Sequence, residues 1–241
     1  MQRKILEKLN LARLEKHAVV LITHLENSEQ YLYSESKEYC IGIIPTDLEV
    51  LAKQAARLDR SKMHETESGK IFFHAFNPSL RMFIVGAVHI SQTLAPLAVM
   101  CGYDVTVIDP RQAFATNERF PDININTAWP DEALNELVPD NRTAVVALTH
   151  DPKLDDPALT AALNSDAFYI GALGSRKTQT GRQQRLEEKG FSPEQQQRIC
   201  GPIGLNIGAQ SPAEIALSIM AQVTEQARQG SVHNEAESEG K

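Results

Sequence analysis

The sequence predicts an α/β protein in which a Rossmann-like parallel-sheet domain follows a smaller N-terminal α+β domain. Residues 82–85 form a short, continuous apolar run that ends at Gly86, as in a strand covered on both faces. Residues 89–101 then carry apolar side chains at helical spacing and stop before a glycine. A second apolar run, 103–108, is closed by Asp109, which lies 23 residues after Gly86. This order is that of a dinucleotide-binding βαβ unit.

The glycine fingerprint of such a unit is incomplete in this chain. The pattern G-x-G-x-x-G requires three glycines, but only Gly86 is present, and Val88 and Ser91 occupy the other two positions. The second glycine lets the backbone approach a pyrophosphate, so the Val88 side chain would fill that space. The pattern therefore predicts the fold more strongly than it predicts a nucleotide, and Asp109 as a ribose ligand stays an alternative.

Composition is that of an ordinary globular protein, with 241 residues and a hydrophobic fraction of 42%. No apolar run approaches the ~20 residues that cross a membrane, and we see no signal-peptide pattern, so we expect a cytoplasmic protein. The net charge is -7, which argues against long-range attraction of nucleic acid. An anionic ligand would need a local site.

The three cysteines are far apart in the sequence and form no C-x-x-C pair. They predict neither a disulfide framework nor a cysteine zinc site, and we predict no metal site. We interpret Cys40 as a small apolar strand residue and Cys101, at an apolar helix position, as a core residue.

Three segments are predicted along the chain. Residues 1–80 form the small α+β domain, residues 81–228 the Rossmann-like domain, and residues 229–241, which are small and charged, a disordered tail. The elements predicted for the first domain are a helix ending near residue 17, strands at 18–23, 31–33, 39–44 and 70–76, and a helix at 46–58 opened by a Thr46/Glu49 capping box.

The second domain is predicted to continue with further buried strands. Residues 144–149 form one strand, and Asp156 with Pro157 is expected to begin the next helix. Another strand starts at residue 167 and runs into a turn and a basic helix. A glycine-spaced loop, 201–210, precedes a Ser211/Glu214 capping box and a helix to about residue 227.

The best candidate for an anion site is the turn formed by Gly174, Ser175, Arg176 and Lys177. Glycine frees the backbone amides, the helix start carries partial positive charge, and the side chains add donors. Cations in a first helical turn oppose the helix macrodipole unless an anion compensates them. The alternative is an ordinary strand-to-helix turn with a solvated basic surface.

Other candidates follow the remaining strands. His150 and Asp151 stand at a strand exit, where a histidine can act as acid, base or ligand, or the pair can simply be a polar strand end. His89 begins the first helix and could face a ligand or solvent. Arg111 could bind a phosphate or pair with Asp109.

Several ordered motifs together resemble one known family. They are GAVHISQ (86–92), VIDPR (107–111), FATNERFP (114–121), THD (149–151), YIGALGSR (169–176), GPIGLNIG (201–208) and PAEIA (212–216). With them, the chain resembles the XdhC/CoxI family over about residues 80–225.

The resemblance implies an accessory protein of a molybdenum hydroxylase such as xanthine dehydrogenase. Members of the family bind the molybdenum cofactor, a molybdopterin, protect it, assist its sulfuration with a cysteine desulfurase, and pass it to the apoenzyme. It also implies a non-catalytic chaperone that forms a homodimer. The predicted cofactor-binding residues are Gly86, His89, Asp109, Arg111, His150, Asp151, Gly174, Ser175, Arg176 and Lys177.

The sequence departs from the family pattern in two places. The family's first turn usually reads Gly-Ala-Gly-His-x-Gly, where this chain has Val88 and Ser91. Some members carry Gly-Gly-Cys shortly before a helix-opening glutamate; if Glu49 is that residue, segment 44–47 lacks both glycine and cysteine. Two other functions stay open: an NAD(P)-dependent oxidoreductase, from the βαβ unit and Asp109, and a binding module that has lost its ligand and serves as a protein partner.

Overall fold

The computed structural model describes residues 2–66 and 69–238, without the side chains of Arg176 and of the residues after Arg228. The chain divides into two compact units, one containing the residues up to Pro78 together with those from Gly230 onward and the other covering Ser79–Gln229. Within the described ranges, no helix combines the length and the apolar character needed to span a bilayer.

The first unit contains a four-stranded antiparallel sheet with the order β2-β1-β4-β3. Successive residues of a strand point to opposite faces, so Val20 and Ile22 pack in one cluster and Val19 and Leu21 in another. One helix contributes to each cluster, which gives the sheet two buried faces. The elements are α1 (Arg3–Leu14), β1 (Val19–His24), β2 (Gln30–Tyr33), α2 (Thr46–Leu58), β3 (Lys62–Thr66) and β4 (Gly69–Phe76).

Two expectations for this unit are wrong. The strand predicted at 39–44 is replaced by a 3-10 turn, Lys37–Tyr39, and a single bridge between Ile41 and Leu32. The Thr46/Glu49 capping box does not form, because Pro45 occupies the N-cap and no side chain caps the helix. Strand β3 was not predicted, because Met63 is its only apolar residue and none of its side chains is buried, so the sequence has no alternating pattern there.

The second unit is built on a six-stranded sheet with the order β10-β9-β8-β5-β6-β7. Every pair of neighbouring strands is parallel. The strand order reverses between β5 and β8, and folds of this kind bind ligands outside the carboxyl ends of the strands at that point. The elements are β5 (Leu80–Val85), α3 (His89–Met100), β6 (Tyr103–Ile108), β7 (Asn124–Asn126), α4 (Pro130–Leu137), β8 (Thr143–Ala147), α5 (Pro152–Leu163), β9 (Tyr169–Ala172), α6 (Arg176–Glu188), α7 (Pro193–Gln196), β10 (Ile199–Cys200) and α8 (Pro212–Ser238).

Helices cover both faces of this sheet. Met82 and Ile84 of β5 pack with residues of α3 and α8, whereas Phe83 and Val85 pack with residues of α4, α5 and α6. A strand buried on both faces reads as a continuous apolar run, which is what the sequence has at β5. The prediction of an α/β, Rossmann-like fold with a separate smaller domain is confirmed.

The start of α5 corrects one helix prediction. The helix begins five residues before Pro157, and Asp151 is its N-cap, accepting a hydrogen bond from the Lys153 amide at 3.0 Å. Both Asp-Pro pairs in this segment carry the signature of an N-cap followed by a first-turn proline. The earlier pair starts the helix, so Asp156 lies inside it and is buried.

Three further differences concern single residues or short elements. Cys101 is exposed at the C-cap of α3 and is not a core residue. Strands β7 and β10 are too short, at 3 and 2 residues, to show a pattern in the sequence. Helix α8 is assigned as far as Ser238, whereas the sequence predicts its end near residue 227; the last three residues of the predicted tail lie outside the described part. The predicted Ser211/Glu214 capping hydrogen bonds are present.

Two glycines with left-handed backbones allow a matched test of the turn after β5. Gly86 has φ +113, and a Cβ there would lie 2.7 Å from Thr149 Cγ2; Gly102 has φ +88 and open space around it. We expect Gly102→Ala to cost about 1–2 kcal/mol of unfolding free energy from backbone strain alone. Gly86→Ala should cost at least ~1 kcal/mol more, because a side chain is forced into a packed site.

Urea unfolding followed by tryptophan fluorescence measures this difference. The chain has one tryptophan, Trp129, at the N-cap of α4, so the signal reports on the second unit. Equal losses for the two variants would show that the contact with Thr149 does not matter.

Candidate functional site

The predicted site residues follow four neighbouring strands. Because β5, β6, β8 and β9 are parallel, their carboxyl ends lie along one edge of the sheet. The residues after these strands are Gly86 and His89 (β5 and α3), Asp109 and Arg111 (β6), His150 and Asp151 (β8), and Gly174, Ser175, Arg176 and Lys177 (β9 and α6).

Side chains close the turn after β5. Ser91, at the third glycine position, is fully buried, and its hydroxyl donates a hydrogen bond to the Gly86 carbonyl oxygen. Val88, at the second glycine position, is the N-cap of α3 with an ordinary φ of -96, and its half-buried side chain packs against the core. His89 is exposed at the first position of the helix. The turn therefore needs glycine only at Gly86.

The Asp109 carboxylate joins this turn to the next loop. It is fully buried and accepts four hydrogen bonds. The Ala87 amide donates to Oδ2 at 2.7 Å, and the Arg111 amide donates to Oδ1 at 2.9 Å. The Arg111 guanidinium donates to both oxygens, at 2.9 and 2.7 Å. Ribose hydroxyl groups would have to displace these donors.

The same contacts stabilise the charged forms of Asp109 and Arg111. Burial alone would raise the pKa of Asp109, but the hydrogen bonds from the Arg111 side chain and from the amides of Ala87 and Arg111 outweigh it, and the pKa lies below its ordinary value. The hydrogen bond to Asp109 raises the pKa of Arg111 in turn. Both groups are charged at neutral pH.

Arg119 holds the other side of the turn and was missed as a site residue. Its guanidinium donates to the carbonyl oxygens of Ala87 at 2.9 Å and Phe114 at 2.7 Å, and to Gln92 Oε1 at 3.1 Å. Ala87 is thus held through its amide by Asp109 and through its carbonyl by Arg119. Arg119 lies within the FATNERFP motif, and membership of that motif could have indicated its role in the sequence.

The exit of β8 contains a strained residue. His150 is exposed and has φ +62, in the left-handed region that non-glycine residues rarely adopt. Thr149 fixes the backbone on one side: its hydroxyl donates to Asp155 Oδ1 at 2.6 Å and accepts from the Asp151 amide at 3.0 Å. Such strain is found most often at functional sites.

The turn between β9 and α6 keeps the features of an anion site. Gly174 has φ +144, which favours glycine, and Ser175 caps the helix by accepting a hydrogen bond from the Thr178 amide at 3.3 Å. The first turn of α6 contains no acidic residue, and Lys177 is exposed. The side chain of Arg176 lies outside the described part. Anion binding at this turn stays a prediction.

A buried ion pair between Arg182 and Asp155 lies next to that turn and holds the residue before it. Arg182 Nη2 lies 3.8 Å from Asp155 Oδ2, and both side chains are almost fully buried. Arg182 also donates to the Leu173 carbonyl at 2.9 Å and to Gln179 Oε1 at 2.7 Å. Burial raises the pKa of Asp155 and lowers that of Arg182. Asp155 bonds to the end of β8 and Arg182 to the residue after β9, so the pair links the ends of the two strands. The sequence did not predict this ion pair, because one arginine in a polar helix has no distinctive pattern.

The cysteines are free thiols in this structure. Cys40 is half-buried, and its Sγ donates to the Ser34 carbonyl at 3.2 Å. Burial raises the pKa of the Cys200 thiol, which keeps it protonated. In the parts of the chain that the structure describes, no three His, Cys, Asp or Glu side chains are grouped to hold a metal ion.

These features define an α/β protein whose Rossmann-like domain has a first turn closed by side chains and an open, cationic turn two strands away. Residues 82–223 match the family described as the XdhC Rossmann domain. The chain therefore belongs to the XdhC family, which confirms the resemblance found in the motifs.

Two curated relatives are similar to the chain over part of their length. One is the molybdenum cofactor insertion chaperone PaoD of Escherichia coli (strain K12), with 34% identity over 61% of this chain and 40% of that protein. The other is named as a probable xanthine dehydrogenase subunit of Bacillus subtilis (strain 168), with 32% identity over 66% of this chain and 47% of that protein. The chain spans less than half the length of both.

A solved structure has the same fold over most of the chain. It is the crystal structure of a xanthine dehydrogenase from Bacillus halodurans, with a TM-score of 0.73 and 26% sequence identity. The match covers 94% of this chain and 67% of that one. The likeness therefore extends beyond the Rossmann-like domain.

The hydrogen bonds of Asp109 predict a pH-dependent contribution to stability. We expect Asp109→Asn to lose about 2–3 kcal/mol of unfolding free energy at pH 7, since the buried contacts to a charged group are weakened. The pKa of Asp109 is lower in the folded protein than its ordinary value, so the stabilisation is fully present above that ordinary value and is lost progressively as pH falls below it and through the lower folded-state pKa.

Unfolding curves at pH 7, 5 and 3.5 measure this loss. The difference between wild type and Asp109→Asn should shrink at the lowest pH. Asp104→Asn, an exposed carboxylate on the same strand, is the matched control and should show little difference at any pH. A difference for Asp109→Asn that does not change with pH would contradict the assignment.

Proposed function

We propose that this protein is an accessory protein for a molybdenum hydroxylase of the xanthine dehydrogenase type. It binds the molybdenum cofactor, protects it, supports its sulfuration and passes it to the apoenzyme, without catalysing a reaction of its own. Membership of the XdhC family and the name of the PaoD relative support this proposal. The chain spans less than half of that relative, so the match does not show which enzyme it serves, and the client enzyme is part of the proposal.

The observation that carries the proposal is the division of roles along the sheet edge. At the turn after β5, the Asp109 carboxylate, which would bind a ribose, already accepts hydrogen bonds from the Ala87 amide and from Arg111. At the turn before α6, the helix start, Ser175 and Lys177 leave positive potential without a carboxylate in the first turn. A pterin that carries a phosphate fits the second turn better than a dinucleotide fits the first.

We assign the predicted residues to parts of one bound cofactor. Gly174, Ser175, Arg176 and Lys177 hold the phosphate. His150 and Asp151 lie after the strand between the two turns, where the exposed imidazole of His150 can contact the ligand and Asp151 caps α5. Gly86, His89, Asp109 and Arg111 form the wall on the other side, with the fully buried Asp109 as a support and not as a direct ligand.

Partners follow from this role. We propose an apo molybdenum hydroxylase as the recipient, a cysteine desulfurase as the source of sulfur, and a homodimer as the working form. We also propose a cytoplasmic location, because all three cysteines are free, as is usual in a reducing compartment.

Co-purified pterin tests the proposal. Protein from a host that makes molybdopterin should carry pterin, detected by fluorescence after oxidation. We expect Lys177→Ala to lower the pterin content at least ~3-fold, because one charge-assisted contact to the phosphate is lost. Lys4→Ala is the matched control, since Lys4 is also exposed in the first turn of a helix, α1, and its removal should leave the content unchanged.

Two results would decide against the proposal. One is absence of pterin from the wild-type protein together with normal hydroxylase activity after gene deletion. The other is a client that matures normally with the Arg176→Ala/Lys177→Ala protein, which would favour a module that acts only as a protein partner.

Titration with nicotinamide cofactors tests the oxidoreductase alternative. We expect neither NAD nor NADP to bind at millimolar concentration, because Asp109 has no free oxygen for the ribose and Val88 fills the pyrophosphate position. Calorimetry on the wild type and on Val88→Gly/Ser91→Gly measures this. Tight binding of NAD by the wild type, lost on Asp109→Asn, would support the oxidoreductase instead.

A further inference from the structure

Phe114 is an exposed aromatic residue between two arginines on the loop after β6. Its side chain is 46% exposed. The guanidinium carbon of Arg111 lies 4.9 Å from the ring centroid, and that of Arg119 lies 5.7 Å from it. Both distances are in the range of cation–π interactions.

Phe114 is not needed to anchor its loop in the core. Phe120, at the end of the same loop, is 2% exposed and packs in the main cluster of the domain, as does Ala115. Those residues provide the apolar burial that fixes the loop. Phe114 beside them is 46% exposed, so its ring adds less apolar burial than Phe120 and stays in contact with solvent.

The two arginines beside Phe114 are held in place. The Arg111 guanidinium donates to both oxygens of Asp109, at 2.9 and 2.7 Å. Arg119 donates to the carbonyl oxygens of Ala87 and Phe114, at 2.9 and 2.7 Å. The surface of ring and guanidinium groups is therefore preorganised, and a ligand would lose little by ordering it.

The charge of this surface is positive. Asp109 balances Arg111, but Arg119 donates only to neutral oxygens, those of Ala87, Phe114 and Gln92, in the contacts of the described residues. One cation beside the ring is therefore left without a carboxylate. An electron-rich or anionic ring would be attracted to it, whereas a cationic ring would be repelled.

The surface is also fixed to the edge of the sheet where ligands bind in this fold. Both Asp109 and Arg119 hydrogen bond to Ala87, the residue directly after Gly86. The ends of β6 and β9 are three strand spacings apart, ~14 Å. A ligand on this surface and an anion at the α6 turn can thus be two parts of one extended molecule.

We propose that Phe114, Arg111 and Arg119 form a stacking platform for a planar, electron-rich heterocycle. The part of the proposal that names this heterocycle as the pterin ring of the molybdenum cofactor rests on the proposed function. Proteins commonly bind flat rings by stacking them on an aromatic side chain next to an arginine, without hydrogen bonds to every polar group at the ring edge.

The test uses 6-hydroxymethylpterin, a fluorescent pterin without phosphate, titrated into the full chain. We expect binding at micromolar to millimolar concentration and at least ~10-fold weaker binding by Phe114→Leu, since aromatic stacking is lost and apolar size is nearly kept. Phe114→Trp should bind as well as wild type or better. Trp129→Leu, which removes an equally exposed aromatic residue outside the platform, should bind like wild type.

Equal binding by Phe114→Leu and wild type, or no binding by wild type, would overturn the platform. Unfolding curves of Phe114→Leu should match those of wild type, which separates loss of the ring from loss of the fold. The two proposals fail separately. If pterin co-purifies equally with Phe114→Leu, the platform is wrong and the accessory function stands. If the probe needs Phe114 but no pterin co-purifies with wild type, the platform stands and the cofactor assignment is wrong.

Discussion

The buried carboxylate of Asp109 is the interaction on which the ligand edge of this protein depends. A charge that is removed from water is stable only when donors surround it, and Asp109 finds them in Arg111 and in the Ala87 amide. These contacts fix the turn after β5 and the start of the following loop relative to each other. In a dinucleotide-binding protein the residue at this position is left free for a ribose, whereas here it has become part of the structure.

A second buried pair does the same for the other half of the edge. Asp155 and Arg182 join the ends of β8 and β9, and Arg182 donates to the Leu173 carbonyl just before the turn that starts α6. Asp109 and Asp155 are therefore paired inside the edge, whereas Lys177 is exposed and Arg119 donates to neutral oxygens. This distribution of charge is compatible with the proposed local anion site in a chain of net charge -7.

A cofactor chaperone must hold its cargo firmly and still release it to another protein. In the proposed function, a rigid surface on one side of the edge and a helix start on the other would meet both needs, because neither contact would enclose the ligand. His150 adds a strained, exposed residue between them. Strain of this kind persists where the surrounding structure determines it, as the hydrogen bonds of Thr149 do here.

The sequence by itself determined the fold class, because continuous apolar strands, a glycine-ended turn and an acidic strand end are local patterns. It also led to the family, through motifs that are continuous in the chain. Only the tertiary structure decided what Asp109, Ser91, Arg119 and Arg182 do, because their partners lie far away in the chain and hydrogen bonds between distant residues leave no periodic pattern. The strand at 39–44 was wrong because an apolar run alone does not supply a pairing partner, and the start of α5 was wrong because two Asp-Pro pairs carry the same local signature.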